Sequence, residues 1–166
     1  SVNVATAWEK ACFSFTLPAT RQAALRIAIV LGKDGGVIKP FTNLVKCGLG
    51  GKQGNGKQMF SWLHIEDLYQ MVLFIQKNPA YDGVFNCSSP NPITNSVLMQ
   101  TFRKLMKAFI GLPAPKWMLK MGAVVIGTET ELILKSRWVV PEKLLSLGYE
   151  FKYPVLEDAL KEILDK

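Results

Sequence analysis

At 166 residues, 49% apolar and 20% charged, the chain has material for one packed core, or for one domain and part of another. That composition excludes a disordered or fibrous segment. Twenty Lys and Arg against thirteen Asp and Glu leave +7, a bias toward anionic partners that is silent on fold.

The first predicted element is a helix. Val4, Ala7, Trp8, Ala11 and Phe15 recur at three- and four-residue spacing and make one apolar face. Its only polar cap candidate is Ser1, with no Met before it, so further sequence is expected upstream. After Pro18, residues 25–31 form a near-continuous apolar run closed by Gly32, the pattern of a strand buried on both faces of a parallel sheet. A Gly-rich turn leads to a short helix over 38–47. Residues 48–57 hold five glycines in ten and read as a loop. Residues 59–64 read as a strand, and 66–77 as an amphipathic helix stopped by Asn78-Pro79. A third strand covers 84–87.

Thr94 or Asn95 caps a helix expected to reach Phe109. Helical patterns follow at 117–126 and 129–135, then a short strand at 138–140. Pro141 opens a helix that Gly148 ends, and 155–164 is the last helix. Strands in the first half and helices in the second predict an α/β fold, with residues 1–110 as one unit and 111–166 as a small, mainly helical one.

The charge-free apolar run at 121–127 is far short of the ~20 residues of a membrane span, and no secretory leader pattern opens the chain. A cytoplasmic protein with no membrane partner is the expectation. Cys12, Cys47 and Cys87 are odd in number and widely spaced, and His64 is the only histidine, which argues against disulfides and a zinc site. Three buried, reduced thiols are expected. Residues 51–57 fit G-x-x-x-x-G-K, but Gln58 stands where magnesium needs Ser or Thr, and helix precedes the loop where a strand is required. The motif therefore fails as a nucleotide-hydrolysing loop. Its amides and Lys52 and Lys57 retain a weaker reading as an anion cradle, with a solvated loop preferred.

Residues 54–67, Gly-Asn-Gly-Lys-Gln-Met-Phe-Ser-Trp-Leu-His-Ile-Glu-Asp, resemble the G-D-G-x-Q-x-R-D-F-x-H-V-D-D block of extended short-chain dehydrogenase/reductases. Residues 25–36 are similar to the L-R-x-G-x-V-L-G-x-x-G-G run of one atypical branch, the nucleoside-diphosphate-sugar epimerases. Residues 85–95 match its F-N-x-x-x-P-x-P-x-T-N, and 138–145 with 148–154 match its C-terminal helical region. The resemblance covers essentially the whole chain. It implies the C-terminal part of a Rossmann-like fold, a few mostly parallel strands with a largely helical substrate-side region, lacking the N-terminal half that binds the dinucleotide.

For a full-length protein the resemblance implies NADP or NAD and a nucleotide-sugar or other small anionic substrate; for this chain alone it implies no cofactor. The helical glutamate of a Y-x-x-x-K-x-x-x-E pattern falls on Glu9, which leaves Ala5 at the lysine and Ser1 at the tyrosine. No catalytic residue is assigned, because that pair carries the proton accompanying hydride transfer. Ala28 lies on the strand that in relatives passes the nicotinamide. Gln58, Ser61, Trp62 and His64 lie where relatives line the substrate cleft, while Phe60 replaces an arginine and removes a bidentate phosphate contact.

Simpler structural roles stand beside these. His64 bonds the Glu66/Asp67 turn, Glu66 and Asp67 suit the helix dipole, Asn86 and Asn95 tie the turn after the third strand, and Trp117, Met118, Met121 and Trp138 pack apolar faces. Two functions follow from different classes: the substrate-side half of an NAD(P)-dependent epimerase- or dehydratase-like protein, inert by itself, or a non-catalytic module that docks on a separate N-terminal partner. Nucleic-acid binding rests on charge alone and is set aside. Either reading leaves an apolar sheet side uncovered, so self-association of the isolated chain is expected.

Overall fold

The apolar run after Pro18 becomes two strands in the computed structural model, which describes residues 2–15, 17–33, 35–114 and 136–165. Strand β1 (Ala23–Ile27) pairs in parallel with β5 (Gly83–Cys87), and β2 (Ile29–Leu31) pairs in parallel with β4 (Trp62–His64). The break between them is Ala28, whose N–H still donates to Cys87 O at 2.9 Å while Ile29 N–H donates to Ser61 O at 3.3 Å. One strand changes partner there. Burial on both faces does not hold either, since Ile27 is 51% exposed.

The run at 59–64 divides in the same way. Strand β3 (Met59–Phe60) pairs antiparallel with β6 (Ile93–Thr94), and Ser61 separates it from β4. Helices fill the rest of the order: α1 (Val2–Cys12), α2 (Ile38–Lys46), α3 (Ile65–Lys77), α4 (Asn95–Leu105), α5 (Glu142–Ser146) and α6 (Leu156–Leu164). The result is a mixed α/β fold with few, mostly parallel strands. The helical patterns at 117–126 and 129–135, with Trp117, Met118 and Met121, lie outside the described residues.

Helix ends follow local chemistry. The Thr94 hydroxyl accepts from Val97 N–H and caps α4. That helix stops at Leu105 rather than Phe109, because Lys107 adopts φ 52° and Ala108 N–H turns back to Arg103 O at 3.0 Å. Gly148, at φ 80°, ends α5 in the same manner, with Tyr149 N–H bonded to Leu144 O. At the far end of α3 the Arg21 guanidinium donates to Ile75 O, Gln76 O and Tyr81 O, a cation at the negative pole of the helix.

Two apolar clusters hold these elements. In the larger one Leu31, Phe41, Trp62, Leu98, Met99 and Phe102 meet Leu156, Ala159, Leu160 and Ile163 of α6. In the smaller one Leu63, Met71, Phe85 and Cys87 meet Leu144 and Tyr149. The last quarter of the chain thus closes over strands from the first half. Helix α1 contrasts with this: none of its residues is buried, and Trp8 is 74% exposed.

Candidate functional site

Parallel pairing brings the carboxyl ends of β1 and β5 to one side, the side on which open α/β sheets take ligands. A cleft of about 810 Å³ lies there. Its floor carries Ala28 and Ser61, one wall is α1 with Trp8 and Glu9, and the facing wall carries Arg137 and Trp138. Both tryptophans are largely exposed, at 74% and 72%, so Trp138 lines the cleft rather than packing an apolar face.

The facing wall is not the strand expected at 138–140. It has no ladder partner among the described residues; one backbone bond, Arg137 N–H to Met59 O at 3.0 Å, and several side chains hold it. Ser61 Oγ donates to Arg137 O and accepts from Val139 N–H, both at 2.8 Å. Ser88 Oγ donates to Val139 O at 3.1 Å, and Asn86 Nδ2 to Val140 O at 3.4 Å. Three polar side chains therefore set the width of the cleft. Across it, Arg26 grips Glu9 with two bonds, at 2.8 and 2.7 Å, tying β1 to α1. The bonds from Arg26 hold the Glu9 carboxyl below its ordinary range and raise the guanidinium in turn.

Of the residues expected on the cofactor and substrate side, the structure brings Ala28 and Ser61 together on that floor. Gln58 sits elsewhere, 8% exposed, donating through Nε2 to Gln53 O beside the Gln53–Asn95 pair. Trp62 is fully buried, and its Nε1 donates to Asn91 O. His64, 4% exposed, turns toward α6. Its Nδ1 accepts from Glu66 N–H, which leaves Nε2 as the donor to Glu162 at 3.1 Å in the neutral ring. Against the desolvation that raises it, the bonds from Lys33 and His64 hold the Glu162 carboxyl below its ordinary value.

Asp67 has a larger task than a helix-dipole carboxylate. Fully buried, it accepts from Lys152 N–H at 2.8 Å and Tyr153 N–H at 2.9 Å, with the Tyr149 hydroxyl beside it. Burial first, then the Asp67 charge, push the Tyr149 phenol far above its ordinary value.

The glycine-rich loop is not an anion cradle. Gly51 and Gly54 donate to Leu112 O and Ala114 O, Gly56 to Gln53 O, Gln53 to Asn95 Oδ1 and Lys57 to Asn55 Oδ1. Its amides face inward. At Gly51 an added Cβ would stand 2.5 Å from Gly111 O, so the loop needs glycine for backbone packing. The role of Arg26 is hidden in an apolar run; the nearest signal is the register that places Glu9 on the helix facing it.

The cysteines differ from the expected three buried thiols. None is in a disulfide, yet Cys12 and Cys47 are exposed and only Cys87 is buried. Cys12 ends α1, none of whose residues is buried, and Cys47 is the exposed residue just past the end of α2. Burial pushes the Cys87 thiol from an ordinary 9.0 up to about 11. Folding therefore favours the neutral thiol, and this contribution to stability is complete below pH 9 and declines toward pH 11. A thiol-reactive dye at pH 8 should modify Cys12 and Cys47 rapidly and Cys87 only on unfolding. Three rapid equivalents would contradict the placement of Cys87.

A family described as a domain of unknown function, DUF1731, matches residues 114–163. An epimerase family protein of Arabidopsis thaliana, described as chloroplastic, is 35% identical over 87% of this chain and 41% of its own length. A Staphylococcus aureus epimerase family protein is 31% identical over 96% of this chain and 52% of its own. The crystal structure of a human epimerase family protein with NADPH superposes with a TM-score of 0.84 at 33% identity, covering 97% of this chain and 54% of that one. A nucleoside-diphosphate sugar epimerase from Corynebacterium glutamicum superposes at 0.66 with 25% identity, over 87% of this chain and 26% of that one. The chain spans about half the length of the curated relatives it matches.

Proposed function

We propose that this chain, which is similar to the C-terminal half of epimerase family proteins, forms the substrate-side half of an NAD(P)-dependent nucleotide-sugar epimerase- or dehydratase-like protein. The observation that carries this reading is the cleft at the carboxyl ends of β1 and β5, floored by Ala28 and Ser61. Arg137 offers its open wall a cation for an anionic substrate. Ser61, Asn86 and Ser88 would fix that wall before any ligand arrives.

The residues present do not fit a dinucleotide by themselves. The Gly-rich turn between β2 and α2 spaces its glycines as Gly32, Gly35 and Gly36 rather than as the G-x-G-x-x-G of a dinucleotide site, and the loop at 48–57 turns its amides inward. The diphosphate contacts are assigned to sequence outside this chain, and no step is routed through them. The human relative was solved with NADPH, which makes that dinucleotide the probe of choice. The boundary near residue 110 is kept as part of this reading, residues 111–166 closing the substrate side.

A second reading, a non-catalytic docking module, draws on one feature: Ala5 and Ser1 stand where the pattern of typical extended short-chain dehydrogenase/reductases has lysine and tyrosine. The two readings separate in one titration. NADPH is added to the chain alone and to a single polypeptide in which the unmatched half of the Staphylococcus aureus relative precedes it. The fused protein should gain about 2.7 kcal/mol of stability at 100 times the dissociation constant, and the chain alone nothing. A shift with the chain alone would overturn the division of labour; no shift with either would favour the docking module.

A further inference from the structure

Trp138 is mounted firmly through its neighbours. Arg137 N–H donates to Met59 O, Ser61 and Ser88 hold Val139, and Asn86 donates to Val140 O. The indole takes no part in that network. It is largely exposed in the cleft and, among the described residues, makes no hydrogen bond or ring contact. The Arg137 guanidinium forms no ion pair among those residues either, although Glu142 borders the same cleft. A single exposed apolar residue needs no explanation on an open surface. Here a fixed aromatic surface stands beside a free cation inside a cleft, the means by which pockets hold a ring and orient it through a few polar groups.

The chemistry of the pair defines what it recognises. The guanidinium suits a phosphate, which it can grip with two parallel bonds. The indole suits a ring lying flat, and the C–H groups on one face of a sugar ring form such an apolar patch while the hydroxyls project to the rim. We propose that Trp138 is a specificity-determining residue of the cleft: the sugar ring of a sugar nucleotide stacks on its indole while Arg137 holds the adjoining phosphate. This rests on the functional reading above and deepens it. In such a molecule the sugar is bonded directly to the terminal phosphate, whereas a ribose separates the base from the phosphates. Two residues adjacent in the chain therefore reach sugar and phosphate together. Trp8, on the facing wall, is the poorer platform, because α1 has no buried residue and Arg26 ties it to β1 through Glu9 alone among its side chains that pair across.

The test uses the polypeptide fused to the Staphylococcus aureus half and loaded with NADPH. Calorimetry measures its affinity for UDP-glucose, UDP-N-acetylglucosamine and UDP, in the parent and in the Trp138→Ala and Trp138→Phe variants. Alanine should weaken both sugar nucleotides by about 10-fold and UDP by less than about 2-fold, and phenylalanine should recover most of the loss. NADPH affinity should not move. Equal losses for UDP and the sugar nucleotides would place the base or ribose on the indole, and a loss of NADPH affinity would place the nicotinamide there; either overturns the proposal. Acrylamide quenching of the Trp138 emission, taken as the difference between parent and Trp138→Phe, gives a second readout. The indole should be accessible in the fused protein and shielded once UDP-glucose binds. Shielding by fusion alone would mean that the other half packs on Trp138, which also overturns the proposal. A parent that binds no sugar nucleotide sinks the functional reading and the platform with it; binding that Trp138→Ala leaves untouched sinks the platform alone.

Discussion

Replacing Asp67 by alanine should lower the unfolding free energy by about 2–6 kcal/mol, the cost of leaving two hydrogen-bond donors of a buried carboxylate unpartnered. Asp67 is fully buried, and its two carboxylate oxygens accept the backbone N–H groups of Lys152 and Tyr153. Tyr149 adds a hydroxyl bonded to Asp67 O at 3.0 Å and lying 3.4 Å from Oδ1. Alanine leaves two part-buried N–H donors without their partners, each worth about 1–3 kcal/mol. The Asp67→Asn variant keeps the shape but turns one acceptor into a donor against an N–H, so part of the loss should remain. Urea unfolding of both variants checks this. A change below about 1 kcal/mol for alanine would mean that residues 149–153 do not depend on α3 for their position.

Replacing Trp62 by alanine should cost about 3–5 kcal/mol, as large-to-small changes in a packed core do. The indole is fully buried among the residues that join β4 to α4 and α6, and it donates to Asn91 O at 3.0 Å. Alanine would leave a void in the larger apolar cluster and an unpartnered carbonyl at Asn91. Phenylalanine should recover most of the packing and lose the bond, at about 1 kcal/mol. Chemical unfolding of the two variants gives the order. Equal stability for Trp62→Ala and the parent would place the side chain outside the core and restore it as a ligand-contacting residue.

These two side chains show how far sequence reasoning reaches. Glu66 and Asp67 open a helix, and their position alone accounts for a favourable dipole interaction. Nothing local reveals that Asp67 binds a segment some 85 residues later. Trp62 stands in a block whose family resemblance points to a substrate cleft, yet its ring faces the core because β4 pairs with β2 and presents that side to α4 and α6. Ser61 is legible as a site residue, but its place at the junction between β3 and β4, and its grip on residues 137 and 139, depend on strands meeting from both halves.

The features readable from the chain itself are local ones. Periodicity places the helices, because side chains at three- and four-residue spacing share one face of any helix whatever surrounds it. Gly148 marks the end of α5, and the family motifs identify the fold. Where a continuous apolar run changes partners is settled only by packing. Residues 23–31 carry no signal of the break at Ala28, since that break exists only because β5 lies beside the first part and β4 beside the second. Packing also settles which thiols are reached by solvent and which wall faces Arg26 and Glu9. Each is a relation between segments far apart in the chain, and such a relation is not a property of any one segment.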